Sequence, residues 1–172
     1  VAVALQPDPW NGDPVAIFLE AWVAVGNQVF ERVCVRTHDM KRVPGLATKW
    51  EFLEKNTRLR FPLRPNVKFH NGEVFDAEAV KFTFDRLLGE EGKKGPQQSN
   101  YTSIEKVVVL NPTTVDFVLK SPDPVLLTKL AGYGAMIVPP KYIKEKGSQY
   151  FGMNPVGTGP FKFTEYKPKV SL

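Results

Sequence analysis

Apolar and polar residues alternate most regularly between positions 50 and 63. Trp50, Phe52, Leu59, Phe61 and Leu63 recur at every second position in two runs separated by Glu54-Lys55-Asn56. That period of two predicts an antiparallel pair with one face buried. Asn71-Gly72 is a turn dipeptide, because glycine takes φ > 0 without strain. Asp76 then predicts a helix N-cap, its carboxylate accepting from free N–H groups of the first turn. Glu78 favours the positive end of the helix dipole. Phe75 before the cap and Val80 after it are spaced for a hydrophobic staple. Ala77, Val80, Phe84, Leu87 and Leu88 follow at helical spacing. Residues 43–88 therefore read as hairpin, turn and capped helix.

The remaining pattern is shorter in period. Residues 1–5 form an apolar run expected as a buried strand, and residues 6–12, with Pro7, Pro9 and Asn11-Gly12, are irregular. Asp13 as N-cap and Pro14 at the first helical position predict a helix to about Gln28. Val15, Ile17, Phe18, Leu19, Trp22, Val23 and Val25 make it apolar on most faces, as in a helix buried on several sides or covered by a partner. Residues 30–35 alternate loosely and predict a strand, with a turn at His38-Asp39-Met40. Residues 89–102, rich in Gly, Lys and Gln, predict a polar mobile loop. Residues 103–110 and 113–120 predict a second hairpin about Asn111-Pro112. A short helix is expected through Leu130, a break at Gly132-Tyr133-Gly134, and a strand over 135–138. A second short helix should end at Gly147. Residues 159–166 predict a strand with Phe161 and Phe163 on one face. The class is α+β.

Composition changes this picture little. Hydrophobic content of 42% and charged content of 24% in 172 residues are ordinary for a globular chain. No apolar run approaches the roughly 20 residues that span a bilayer. The chain opens at Val1 without a basic start or long apolar stretch, so the expectation is a removed leader or an excised piece. Cys34 is the single cysteine, which excludes an intrachain disulfide and is neutral between compartments. The net charge of +5 invites a nucleic-acid reading. The 23 basic residues are scattered among 18 acids, and no stripe of basic and aromatic residues appears. No nucleic-acid partner is expected.

Candidate chemistry is sparse. His38 and His70 are the only histidines, short of the three or four convergent donors of a protein metal site. His70 reads better as a turn histidine bonded to backbone. Cys34 lies between Val33 and Val35 and reads as inert core. No Gly-x-Ser-x-Gly elbow occurs, so no catalytic residue, metal ligand or cofactor is expected. Gly157-Thr158-Gly159 lacks the length and Lys-Ser or Lys-Thr ending of a phosphate loop. It reads as close backbone approach, with Thr158 as a candidate for lining a cleft. Residues 8–13 lead into a helix N-terminus, where polar groups face a ligand. Asp8, Trp10 and Asn11 are candidates there, Trp10 being equally suited to stacking on a ligand or capping the core.

The sequence also carries a resemblance. Val43-Pro44-Gly45-Leu46-Ala47 with Trp50, Leu63-Arg64-x-x-Val67-Lys68-Phe69-His70-Asn71-Gly72, and the acid-capped helix ending near Arg86-Leu87 form one landmark. Pro155-Val156-Gly157-Thr158-Gly159-Pro160-Phe161-Lys162-Phe163 forms a second. Together they resemble the family 5 solute-binding proteins of peptide and nickel ABC importers, over essentially the whole chain. The resemblance implies a periplasmic binding protein-like fold, type II, in the peptide-binder cluster. It divides the chain into parent-lobe strand and helix at 1–42, an inserted subdomain at 43–154 and a return strand at 155–172. It adds Tyr101, since the region before it faces the peptide in some members. Its partners would be a peptide or other small solute and the membrane permease, which receives the solute after two lobes close on it. A nickel complex, oligosaccharide or opine is the other ligand class. The place would be periplasmic or extracellular, free or lipid-anchored. Family members are much longer, so the chain is expected to be their N-terminal part without the second lobe, by excision, proteolysis or natural truncation. The alternative is a freestanding interaction domain that binds a protein. Self-association through an exposed lobe surface is also expected.

Overall fold

Alternation at residues 50–63 yields two strands of a larger antiparallel sheet. The computed structural model describes residues 11–16 and 20–166. In chain order the strands are β1 (Cys34–Arg36), β2 (Arg42–Pro44), β3 (Glu51–Leu53), β4 (Arg58–Pro62), β5 (Ile104–Asn111) and β6 (Thr114–Leu119). The helices are α1 (Glu20–Val29), α2 (Ala77–Leu88), α3 (Glu90–Lys93), α4 (Leu126–Leu130), α5 (Pro140–Lys146) and α6 (Ser148–Met153). The larger sheet has the order β3-β4-β6-β5, and β1 pairs with β2 apart from it. The α+β class is what the chain adopts.

The sheet buries the face that the alternation marked. Leu59 sits opposite Phe117 and Phe61 opposite Val115, and all four are buried. α2 lies across them. The Phe84 ring meets Phe117 edge-on at 4.8 Å, and Phe61 meets Phe117 at 5.5 Å, the geometry that aromatic quadrupoles favour. Asp76 is extended, and its carboxylate accepts from Ala79 N–H at 3.1 Å. Phe75 and Val80 belong to one buried cluster, and Gly72 takes φ +88° in its turn. Phe52 departs from the pattern. It is 40% exposed because β3 is an edge strand with a neighbour on one side only.

Several elements differ from expectation. The strand over 30–35 begins only at Cys34. The loop over 89–102 contains α3 and a 3₁₀ turn at Gln98–Tyr101, held by ion pairs of Arg86 with Glu91 and Lys93 with Glu90. Residues 135–138 are buried but form no strand. Ile137 N–H donates to Glu31 O at 3.0 Å and Val138 N–H to Thr83 Oγ1 at 3.2 Å, so no strand lies alongside. Residues 159–166 are likewise not a strand. Gly159 and Phe161 donate to Val29 O and Gln28 O, at the end of a helix. Phe161 is 62% exposed while Phe163 packs on a buried cluster, so the two do not share a face. α6 had no counterpart in the sequence reading. The strand expected at 1–5 lies outside the described residues, as do residues 17–19 of the helix expected from Asp13. Residues 14–16 form a turn and not the first turn of the expected helix, with Asp13 Oδ1 accepting from Val15 N–H at 3.1 Å.

The buried residues form two clusters. One joins the sheet to α2 and α4. The other gathers Val29, Phe30, Met136, Val138, Ile143 and Phe151, where the end of α1 meets α5 and α6.

Candidate functional site

Residues 157–159 pass between the end of α1 and the turn after Phe69. His70 N–H donates to Gly157 O at 2.9 Å, and Gly159 N–H donates to Val29 O at 2.9 Å. A Cβ on Gly157 would fall far inside contact distance of Val29 O and 2.8 Å from the Phe30 ring. Only glycine lets the two backbones come this close. His70 Nε2 lies 2.8 Å from Gly159 O. A carbonyl only accepts, so Nε2 carries the proton. His70 is thus the backbone-bonded turn residue that its position suggested.

The same crossing leaves polar atoms enclosed and unpaired. Thr158 Oγ1, His70 Nδ1 and Arg64 Nε are buried without a hydrogen-bond partner among the described residues. Such atoms are rare in folded proteins. Thr158 and His70 stand at the crossing itself. Arg64 is bound elsewhere, its Nη2 meeting Glu31 at 2.7 Å. The hydroxyl and the imidazole nitrogen at the crossing can hold a polar group by hydrogen bonds. Among the described residues no cluster of His, Cys, Asp and Glu suits a metal ion.

The other residues singled out in the sequence are scattered. Asp8 and Trp10 lie outside the described residues. Asn11 is half-buried against Gly152, and its Oδ1 accepts from Asp13 N–H at 2.9 Å. Tyr101 is corrected. A ligand-facing ring should be exposed, yet Tyr101 is 1% exposed. Its hydroxyl donates to Lys129 O at 2.8 Å and its ring stands edge-on to Phe84. The 3₁₀ turn at Gln98–Tyr101 rolls it into the sheet–helix core, where burial pushes the phenol pKa up. Asn11 and Thr158 are carried by segments flanking residues 152–157, and Tyr101 is not among them.

Several enclosed charges have no signal in the sequence pattern. Arg86 clasps both carboxylate oxygens of Asp13, with side chains 6% and 2% exposed. Burial opposes the Arg86 charge, and Asp13 with Glu91 more than offsets it. The pair spans 73 positions, so no local spacing announces it. Arg32 donates from Nε to Gly132 O at 2.8 Å and from Nη2 to Asn27 Oδ1. Burial lowers its pKa. The Cys34 thiol lies 3.5 Å from Leu127 O, and burial pushes its pKa up to about 11. At neutral pH it stays protonated and unreactive.

Residues 41–172 match the family model described as bacterial extracellular solute-binding proteins, family 5 middle. The glutathione-binding protein GsiB of Pectobacterium atrosepticum is 30% identical over 128 residues, covering 74% of this chain and 24% of that protein. The dipeptide-binding protein of Escherichia coli is 31% identical over 145 residues, covering 73% of this chain and 27% of that one. The crystal structure of NikZ from Campylobacter jejuni, in complex with Ni(L-His), aligns with a TM-score of 0.82 at 28% identity. That alignment covers 95% of this chain and 32% of NikZ. The chain spans about a quarter of the length of the curated relatives it matches. Its fold is that of the periplasmic binding proteins of the peptide-binding cluster, in part. This chain belongs to the family 5 bacterial extracellular solute-binding proteins.

Proposed function

We propose that the chain is the N-terminal part of an extracytoplasmic receptor that hands a peptide-like solute to the permease of an ABC importer. The observation that carries this is the match to GsiB, the dipeptide-binding protein and NikZ together. Glutathione, a dipeptide and an L-His complex share amino-acid backbone chemistry, an amine and a carboxylate on a small polar frame. The receptor does no covalent chemistry, and a lipid anchor is part of the proposal. Residues 1–42 and 155–172 form the parent lobe and 43–154 the inserted subdomain. The bonds from Gly159 and Phe161 back to Val29 and Gln28 support that return. Asp8, Trp10 and Asn11 line the solute with Thr158, whose enclosed hydroxyl has no partner among the described residues. A nickel complex is the second reading, favoured by the NikZ likeness.

The test is to read the coding sequence beyond Leu172 and titrate the resulting receptor, by calorimetry, with dipeptides, glutathione and Ni(L-His). Saturable binding of one of these, weakened by Thr158→Val, is the expected result. Indifference to every amino-acid-based solute overturns the reading and leaves a protein-binding domain in its place.

A further inference from the structure

The hairpin of β1 and β2 carries an uncompensated charge. Arg36 and Arg42 are direct cross-strand partners, so their side chains leave the same face. Like charges placed opposite one another weaken a strand pair. Neither arginine pairs with a carboxylate among the described residues, and the nearby acids are engaged. Asp39 pairs with Lys41 and Glu31 with Arg64, each at 2.7 Å. Arg42 Nη1 donates to Thr128 Oγ1 at 3.0 Å. Cys34, on the same hairpin face two residues before Arg36, meets Leu127 O. The arginine face is therefore the one turned to α4. At the hairpin tip is an open recess of about 270 Å³ lined by Arg36, Thr37, His38 and Met40. Met40 is 62% exposed, and Val125 at the start of α4 is 52% exposed.

We infer that this face docks an acidic segment of a protein partner, one carboxylate of which enters the recess beside Arg36, while Arg42, its cross-strand partner, adds positive charge to the same face. A guanidinium is a planar fork that matches a carboxylate, and a second arginine on the same face strengthens the attraction. An exposed methionine beside an arginine in the recess is a combination enriched at interfaces. A membrane surface is recognised by clusters of roughly four to eight basic residues, and this face offers two arginines without a carboxylate partner among the described residues. Screening confines the attraction to about 8–10 Å, so the partner must seat directly on the hairpin. The inference stands apart from solute binding and needs no solute.

The probe is a poly-glutamate peptide, with poly-glutamine of equal length as its uncharged control, titrated into the 172-residue chain and followed by amide chemical shifts. Poly-glutamate should bind and shift residues 36–42, poly-glutamine should not, and added salt should weaken the effect. The double variant Arg36→Gln, Arg42→Gln should lose about fivefold to tenfold in affinity, with a melting temperature no lower than the parent. Lys94→Gln, an exposed lysine in another loop, should change nothing. No binding by the parent chain, or equal loss in the Lys94 variant, overturns the inference. So does stronger, equally Arg-dependent binding to phosphatidylglycerol vesicles, which would assign the face to membrane.

Discussion

The charge of Asp116 is tied directly to stability. Its side chain is fully buried on the sheet face away from α2, bracketed by Arg60 and Arg58 at 2.8 and 3.2 Å. Burial raises its pKa, and the hydrogen bonds from Arg60 and then Arg58 more than reverse that, leaving it below the ordinary carboxylate value. The folded value is thus below the unfolded one of about 3.9. Stability from this ion pair is fully present above that pH and is lost as pH falls through the folded value. Asp116→Asn should therefore be less stable than the parent near neutral pH, and the gap should narrow in strong acid. Urea midpoints across that range check it, and a gap that stays constant with pH refutes the assignment. Asp76 has a simpler role. Its carboxylate serves one N–H of α2, so Asp76→Ala should cost about 0.5–2 kcal/mol. An unchanged denaturation midpoint would mean that α2 does not depend on this cap.

At the scale of elements, the crossing of residues 157–159 over α1 should tolerate no side chain at its centre. Gly157→Ala places a methyl against Val29 O and the Phe30 ring. Overpacking of this kind costs about 1–3 kcal/mol, and a lowered thermal midpoint with lost Phe30 and His70 NMR contacts is the expected outcome. Elements like this show how far the sequence could be read. The capped helix and both hairpins were legible because their signals are local: a cap, a turn dipeptide, a period of two. Residues 135–138 and 159–166 were misread for one reason. An apolar or alternating run says that a segment is extended or buried, and only a neighbour far along the chain makes it a strand. Here the neighbours are Glu31, Thr83, Val29 and Gln28, none of them in a strand. Tyr101 failed in the same way, since its acceptor Lys129 O stands 28 positions off. Thr158 was legible as part of a motif. Its lack of a partner was not, because that depends on every side chain around it.

Under the proposed receptor role, these 172 residues taken by themselves should act as one wall of a binding site. Small-solute sites hide about 70–90% of their ligand, and a hinge-closing receptor achieves this by covering the solute from two sides. A single wall gives up much of that burial, while fixing the solute still costs translational and rotational freedom. The 172-residue chain alone should therefore bind no peptide with useful affinity. Self-association is the outcome expected instead. Val23 and Val25 of α1 are only half-buried, and Phe161, bonded to Gln28 at the end of that helix, is 62% exposed. Apolar area left open on a helix is stabilised when a second copy covers it. Light scattering should then show reversible self-association at high concentration, reduced by Phe161→Ser. Calorimetry with a mixed peptide library on the same sample should give no saturable heat. Micromolar peptide binding by a strictly monomeric sample would contradict both expectations, because it would mean that these 172 residues already enclose a solute on two sides.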